Sequence, residues 1–395
     1  MRAVSSKVEY QLLQLLFFGF AIFIMAWVPR FPEVKANLGL SNGQFGTLIS
    51  TGTLGSLASL FFTGHIVHKF GAKIVILANT ALMTAALISI VQTKSATLFL
   101  ILNVALGWGI SGYHIAVNAQ AFESMARVPG LTVARLHGMW ALGALTTAII
   151  SGLVVGHIGI TLHVGGLAVA MMVVIFLAVY RLSPVLIKPN EDQAEHLPLK
   201  TLITSFKIDW LVSGGLLCAV FLEFSTGDWS AIFTKERIGV NAGLAALPYI
   251  SFMIAMIAGR LGANRISKRF QLHHTVRFLA LVGGFGFLLF LAIAVNIPES
   301  HKNFALAATC MAFIFGGAGS SLMAPTFYTA GNRRSSLPSA VVVGQLGVLN
   351  NMAVFILKAC VAWTAQFTGS LAIALTIPAA LLISAFFFAR AVKAD

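Results

Sequence analysis

Charge is scarce in this chain of 395 residues: Asp, Glu, Lys and Arg make up 10% of the sequence, and hydrophobic residues make up 58%. This composition excludes a soluble multi-domain protein, in which about 25% of residues are charged. Acidic residues are the scarcer kind, with 12 against 26 basic ones. The net charge of +14 does not indicate nucleic-acid binding, because the basic residues stand in short clusters between apolar runs, where they set membrane topology.

Cysteine and nucleotide-binding motifs are also scarce. Cys218, Cys310 and Cys360 show neither CxxC nor metal-ligand spacing, so we expect buried apolar thiols and no metal site. There is no Gly-x-x-x-x-Gly-Lys-[Ser/Thr] loop and no soluble domain to hold ATP, so we expect no cofactor and a gradient as the energy source. An enzyme or a non-transporting receptor would need a catalytic cluster or a sizeable extramembrane domain, and neither is evident.

Apolar segments of about 20 residues, the length that a helix needs to cross a bilayer, recur twelve times. They predict an all-α integral membrane protein. The approximate spans are 11–31, 44–67, 73–92, 97–123, 133–156, 162–182, 209–232, 242–264, 276–297, 303–328, 338–365 and 369–391.

The loop charges predict the orientation of the chain. One face carries nineteen of the 26 Lys and Arg residues and the other carries six, which places both termini in the cytoplasm. A polar, proline-punctuated segment follows the sixth span, so we predict six-helix bundles at residues 1–183 and 207–395, joined by a cytoplasmic linker at 184–206. Matches at an offset of 200 residues, such as Lys69-Phe70 with Arg269-Phe270, indicate a duplicated, pseudo-symmetric architecture.

A glycine-then-basic turn follows the second span, as Gly64-His-Ile-Val-His-Lys-Phe-Gly-Ala-Lys73, and a related one follows the eighth, as Gly259-Arg-Leu-Gly-Ala-Asn-Arg-Ile-Ser-Lys-Arg-Phe270. With the six-plus-six pattern, these turns resemble the loop motif of the major facilitator superfamily, in which acidic and basic residues form a cytoplasmic charge network. Here His68, Asn264 and Lys268 stand where acids are common, so the latch must be built differently, with Glu123, Asp209 or the linker acids as substitute partners. The gating candidates are His68, Lys69, Glu123, Arg127 and Arg260.

Further phrases resemble the branch of that superfamily related to fucose permease and its bacterial inner-membrane relatives. They are Phe17-Phe-Gly-Phe20, Ala26-Trp-Val-Pro-Arg-Phe-Pro32, Asn118 with Glu123, Leu136-His-Gly138, and Glu223 with Gly227-Asp-Trp-Ser-Ala231. The resemblance implies a monomer in the lipid of the bacterial inner membrane that carries a small-molecule substrate by rocking of its two halves. In the fourth span, this sequence has His114 at a position where that branch commonly has an acidic residue.

The seventh span carries two carboxylates, Glu223 and Asp228. A charge at the bilayer centre costs at least ~2.5 kcal/mol, so such acids face a bundle interior or an aqueous path. They are separated by about 140° on an ideal helix, and a local break at Gly227 could bring both inward. Both are candidates for proton coupling, Glu223 the better one, with a structural role as the alternative. Trp229 is expected to be an interfacial anchor.

Lys358, inside the eleventh span, is the natural counter-charge for either acid or for an anionic substrate. Its alternative is a lysine that reaches the membrane surface. Asn351 lies seven residues earlier and so on the same helical face.

In the first half, His114 and Asn118 are one turn apart on the fourth span and resemble a hydrogen-bonding platform for a solute, although an intramembrane histidine is as often structural. Trp140, Trp27, Trp108 and Tyr113 are aromatics that could stack on a sugar ring, although core or lipid-facing roles are commoner. The predicted substrate-binding residues are His114, Asn118, Trp140, Asn351 and Lys358.

Two transport hypotheses follow. The first is a proton-coupled symporter of a small polar solute, sugar-like by family resemblance. The second is a proton-driven exporter of amphipathic compounds or of a metabolite such as a siderophore. The first is favoured because an arginine early in the fourth span and a Gly-Pro pair in the fifth, which many antiporters of the superfamily carry, are missing.

Overall fold

A computed structural model describes residues 5–125, 128–182, 209–335 and 339–393. Over these ranges the chain forms long α-helices joined by short turns, and the predicted linker at 184–206 lies outside the described residues. The helices are α1 (Ser6–Met25), α2 (Phe31–Leu38), α3 (Asn42–Ser50), α4 (Gly52–Phe70), α5 (Ala72–Ile90), α6 (Ala96–Met125), α7 (Val133–Val154), α8 (Gly166–Arg181), α9 (Trp210–Phe233), α10 (Leu247–Arg269), α11 (Leu272–Asn296), α12 (Lys302–Ser320), α13 (Met323–Arg333), α14 (Ser339–Thr368) and α15 (Leu371–Phe388).

These helices combine into twelve segments long and apolar enough to cross a membrane, which confirms the predicted number. Three of the segments contain a break: α1 with α2, α3 with α4, and α12 with α13. A helix satisfies its own backbone hydrogen bonds, so it is one of the two structures that can cross lipid. The protein is therefore an all-α, multi-pass membrane protein.

The chain divides into two compact units. The first comprises Met1–Gly39 and Leu48–His196, and the second comprises Leu40–Thr47 and Leu197–Asp395. The start of α3 thus groups with the second unit, where the Trp363 indole donates to Thr47 Oγ1 at 3.1 Å and the Gly43 amide donates to Gln366 Oε1 at 3.3 Å.

Prolines interrupt the first span without ending it, and the span continues beyond its predicted end at residue 31. Pro29 and Pro32 lie in the first turns of a 3₁₀ turn (Val28–Arg30) and of α2. The missing N–H of proline costs nothing there, because first-turn amides have no helical acceptor. The span continues to Leu38 and ends at Gly39, whose φ of +64° favours glycine.

The tenth span breaks between α12 and α13, in a stretch that contains several glycines and Pro325. Pro325 has no N–H to donate to the carbonyl of Ser321, four residues earlier, so that carbonyl is free for another donor. The guanidinium of Arg260 on α10 supplies it, with Nε 3.3 Å from the Ser321 oxygen.

In the first unit, α1 packs on α7 and α8, and α4 and α5 pack on α6. The contact of the second span with α6 is close because small residues meet there: a Cβ added at Gly107 would lie 1.9 Å from the Gly52 oxygen. At the break between α3 and α4, Asn103 of α6 donates to the carbonyls of Leu48 and Ile49, each at 2.9 Å.

In the second unit, α9 packs on α15 and also contacts α10, α13 and α14. This central place brings side chains of α9 within reach of cations on α10 and α14. Of the three cysteines, Cys218 is buried and Cys310 half-buried, but Cys360 is exposed, so the expectation of buried thiols is wrong for Cys360.

Candidate functional site

Asp228 of α9 and Lys358 of α14 form a close ion pair. Their Oδ2 and Nζ atoms are 2.8 Å apart, and the side chains are only 13% and 14% exposed. The Lys358 ammonium also lies 5.7 Å from the ring centroid of Phe224, one turn earlier on α9. Of the two acids proposed as partners for Lys358, the structure selects Asp228, and the alternative of a lysine reaching the membrane surface does not hold.

Glu223 contacts a different cation, Arg260 of α10. Glu223 Oε2 and Arg260 Nη2 are 3.5 Å apart, and 30% and 34% of the two side chains are exposed. Because Arg260 also binds the freed Ser321 carbonyl, it links the carboxylate on α9 to the break between α12 and α13. Arg260 lies nine residues before the end of α10, about 13 Å along the helix, which places it with Glu223 in the helix interior.

The two acids lie on one unbroken helix, so the local break that Gly227 could permit does not form. Their separation of about 140° directs them to different neighbouring helices. Trp229 is 2% exposed and cannot be an interfacial anchor. It is buried because a helical glycine, Gly46, lets the indole approach: a Cβ there would lie 2.7 Å from the Trp229 ring.

In the first unit, α6 and α7 bring two histidines together. The rings of His114 and His137 have centroids 5.9 Å apart, and Phe20 of α1 lies 6.4 Å from His114 in a stacked orientation. Phe17 contacts His137 edge-on at 5.6 Å. His114 is exposed, and over the described ranges its ring has no hydrogen-bond partner. The cluster therefore offers aromatic faces beside an imidazole that is available to a solute.

His137 was not a predicted site residue, although it stands in a phrase that carries the family resemblance. Its partnership with His114 depends on the packing of two separate spans, and no spacing in the sequence shows that packing.

The two asparagines among the predicted substrate-binding residues form hydrogen bonds within their own helices. Asn118 donates to the His114 carbonyl at 2.8 Å and Asn351 donates to the Gly347 carbonyl at 2.8 Å, each one turn back on its own helix. Both side chains are half-buried, and each amide oxygen remains an acceptor. Trp140 is half-exposed on α7. Trp27 and Tyr113 are buried in the core of the first unit.

The structure describes the side chains of only some of the gating candidates. Arg127 and the side chain of His68 lie outside the described residues, so the pairing of Glu123 with Arg127 stays a prediction; Glu123 is exposed near the end of α6. Lys69 lies over Phe70 at 5.3 Å. Lys73, the last residue of the loop motif, contacts the Leu182 carbonyl beyond α8.

Two further acids bind groups near helix ends. Asp209 accepts from Arg334 at 2.6 Å and from two amides in the first turn of α9. Arg334 lies outside both loop motifs, so the role of Asp209 as a substitute partner in their charge network stays a prediction. Glu9 was not predicted: it is buried in α1 and accepts from Ser124 of α6 at 2.6 Å. Its signal is an acid in the first turn of α1, directly before an apolar run.

The other end of α1 is held by Arg30, whose side chain is buried. Its guanidinium donates to Glu33 at 2.8 Å and to the Ile158 carbonyl at 2.9 Å, and it lies 3.5 Å from His163. The ion pair with Glu33 thus holds Arg30 inside the first span.

The comparison with protein families decides the identity of the fold. A family model described as Major Facilitator Superfamily matches residues 13–357. The chain belongs to the Major Facilitator Superfamily. It is therefore a transporter of this superfamily, embedded in a membrane and acting on a small-molecule substrate.

Two curated relatives of this superfamily member align with most of the chain. An uncharacterised MFS-type transporter of Yersinia pestis is 25% identical, and the alignment covers 98% of this chain and 100% of the relative. The multidrug resistance protein MdtG of Salmonella choleraesuis is 24% identical over 76% of this chain and 74% of its own.

Two solved structures share the fold. The nucleoside transporter NupG has a TM-score of 0.75 at 13% identity and covers 98% of this chain and 100% of its own. The Escherichia coli fucose:proton symporter FucP has a TM-score of 0.64 at 17% identity and covers 99% of this chain and 100% of its own. The two similarities confirm the major facilitator fold, with its two six-helix bundles, and FucP matches the fucose-permease resemblance seen in the sequence.

Proposed function

We propose that this transporter is a symporter, which carries a small polar solute together with protons by alternating access. The observation that carries the proposal is the contact of Glu223 with Arg260, at 3.5 Å and with about a third of each side chain exposed. A coupling carboxylate must alternate between charged and neutral forms during each cycle. It therefore needs a partner that stabilises the charge without holding it permanently.

The two acids of α9 differ in this respect. Neutralising Asp228 would leave Lys358 charged and 14% exposed, which costs several kcal/mol. Neutralising Glu223 would leave Arg260 partly hydrated and still bound to the Ser321 carbonyl, so the cost is smaller. We therefore assign proton transfer to Glu223. Asp228, the other predicted coupling residue, stays charged in this proposal and fixes α9 to α14.

Arg260 connects the protonation of Glu223 to a backbone contact. When Glu223 is charged, the guanidinium is shared between this carboxylate and the free carbonyl at the α12–α13 break. When Glu223 is neutral, the attraction to the carboxylate is lost and the carbonyl contact remains. Protonation thus changes the forces on a helix break, which is where a span bends most easily.

The solute is proposed to be a small polar molecule with a ring, such as a sugar. His114 and its aromatic neighbours supply a ring face and a hydrogen-bonding imidazole, and Asn118, Asn351 and Trp140 are the remaining predicted contacts. NupG, named a nucleoside transporter, and FucP, named a fucose:proton symporter, support this class. The loop charges support a topology with both termini in the cytoplasm, and the resemblance to bacterial inner-membrane relatives supports that location.

The second candidate is a proton-driven exporter of amphipathic compounds or of a metabolite. It is favoured by the relative MdtG, which is named a multidrug resistance protein. Against it, the arginine and the Gly-Pro pair that many antiporters of the superfamily carry are missing from this sequence.

The test begins with a thermal-shift screen of the purified protein against sugars, nucleosides, organic acids and siderophores. Vesicles containing the protein are then given a proton gradient. Movement of protons and solute in the same direction supports symport. Movement of protons and solute in opposite directions supports export, and no flux of any stabilising ligand refutes both.

Glu223→Gln is expected to retain solute exchange and to lose gradient-driven accumulation. Glu299 is an exposed acid, so the Glu299→Gln variant is the matched control and should accumulate solute normally. Normal accumulation by Glu223→Gln would remove Glu223 from the coupling role.

A further inference from the structure

One end of α11 carries a group of basic side chains that we call the α11 cluster: His273, His274, Arg277 and Lys393. The two histidine rings lie in the first turn with centroids 4.0 Å apart, and Arg277 follows one turn later. Lys393, beyond the last helical turn of the chain, lies close enough to His273 to interact with it electrostatically, as does Arg277. The cluster thus joins the start of α11 to the end of the chain.

No described carboxylate neutralises the α11 cluster. Over the described ranges, none of its four members takes part in an ion pair. In the sequence, Glu299 is the only acid between Glu236 and Asp395. Glu299 follows the opposite end of α11, about 37 Å away along the helix axis. The positive-inside rule explains basic residues on this side of the membrane, but it does not require them to converge.

The guanidinium of Arg277 is packed against an aromatic ring. Its guanidinium carbon lies 5.1 Å from the ring centroid of Phe386 on α15, and its Nε is buried with no hydrogen-bond partner among the described residues. Stacking on an aromatic ring fixes the plane of the guanidinium and leaves its edge N–H groups free to bind an oxyanion. Little side-chain entropy then remains to be lost on binding.

Exposed aromatic rings flank this stack. Phe278, next to Arg277, is 63% exposed, and Phe387, next to Phe386, is 69% exposed. Both rings lie near the ends of membrane-spanning helices, where exposed apolar side chains contact acyl chains. A free phosphate would use only the cations of the site, whereas a phospholipid would use the cations and these rings together.

We propose that the α11 cluster binds the phosphate head group of an anionic phospholipid, with Phe278 and Phe387 against its acyl chains. Anionic lipids are enriched in the cytoplasmic leaflet, and the loop charges predict that this end of α11 is cytoplasmic. The inference does not depend on which solute is transported or on proton coupling.

The test is native mass spectrometry of the purified protein released from mixed micelles with equal amounts of phosphatidylglycerol and phosphatidylcholine. The wild type should retain phosphatidylglycerol preferentially. Each cation near an anionic head group contributes about fivefold to binding, so Arg277→Gln should lower the preference about fivefold and Arg277→Gln with Lys393→Gln about 25-fold. Arg181→Gln is the matched control, because Arg181 is an exposed cation in the last turn of α8 and should leave the preference unchanged.

Unchanged retention by Arg277→Gln would overturn the proposal. Displacement of the lipid by excess inorganic phosphate, with no loss from Phe278→Ser or Phe387→Ser, would show a site for a free anion instead. If Arg277→Gln does not purify as a folded protein, Lys393→Gln alone carries the same test with an expected loss of about fivefold, because Lys393 is an exposed cation that lies outside the Phe386 stack.

Discussion

The ion pair of Asp228 and Lys358 allows a quantitative test of how strongly α9 is held to α14. At 2.8 Å and an effective dielectric constant of about 20, the gross attraction is about 6 kcal/mol. Desolvation of two groups that are 13% and 14% exposed consumes much of this attraction. Removing one partner, however, leaves the other charge buried and uncompensated. We therefore expect Lys358→Met or Asp228→Leu alone to lower the free energy of unfolding by about 3–5 kcal/mol.

The double variant Asp228→Leu with Lys358→Met leaves no charge behind. It should be as stable as the wild type, or more stable by about 1–4 kcal/mol, because apolar side chains of similar volume replace the pair. The assay is chemical unfolding of the four proteins in mixed micelles, analysed as a double-mutant cycle.

The control for this cycle is the pair of Arg334 and Asp209, whose side chains are 40% and 32% exposed. Arg334→Gln should cost no more than about 1 kcal/mol, because water screens an exposed pair. Losses below about 1 kcal/mol for both Asp228→Leu and Lys358→Met would show that the buried pair is hydrated as well. A double variant as unstable as the sum of the two single variants would show that the charges do not interact. Either result would refute the reasoning.

Three further predictions test the packing and the first-unit cluster. Gly107→Ala should lower the unfolding temperature because its Cβ would meet the Gly52 oxygen, whereas the matched Gly227→Ala meets no atom within 4 Å and should be neutral or stabilising. Asn103→Leu should cost about 1–3 kcal/mol in chemical unfolding, because the break between α3 and α4 loses its donor. His114→Ala should weaken solute binding in calorimetry and leave the unfolding temperature unchanged, since its ring is exposed and makes only ring contacts; a large fall in that temperature would indicate a structural role.

The number and approximate bounds of the spans were predictable because a bilayer demands about 20 apolar residues per helix, whatever the helix packs against. The bend of the tenth span was predictable for a similar local reason: Pro325 cannot donate to Ser321 in any context. The first span shows the limit of that rule. Pro29 and Pro32 each begin a new helical segment instead of ending one, and which outcome occurs depends on the neighbours that fix the entering chain.

The site was less predictable because pairing is a property of neighbouring helices. Helical geometry places Glu223 and Asp228 about 140° apart, and that angle alone requires two different partners. It does not say which neighbour lies on which side, so Lys358 was an equally good partner for both acids, and Arg260 was assigned to the loop motif that contains it.

Trp229 illustrates the same limit with an apolar side chain. An aromatic residue near a span end, next to an acid, is typical of an interfacial anchor. The indole packs against residue 46, on another span, where a glycine leaves room for it. Burial of a large side chain in a membrane protein thus depends on a small residue elsewhere in the sequence, and hydropathy averaged along one helix cannot register it.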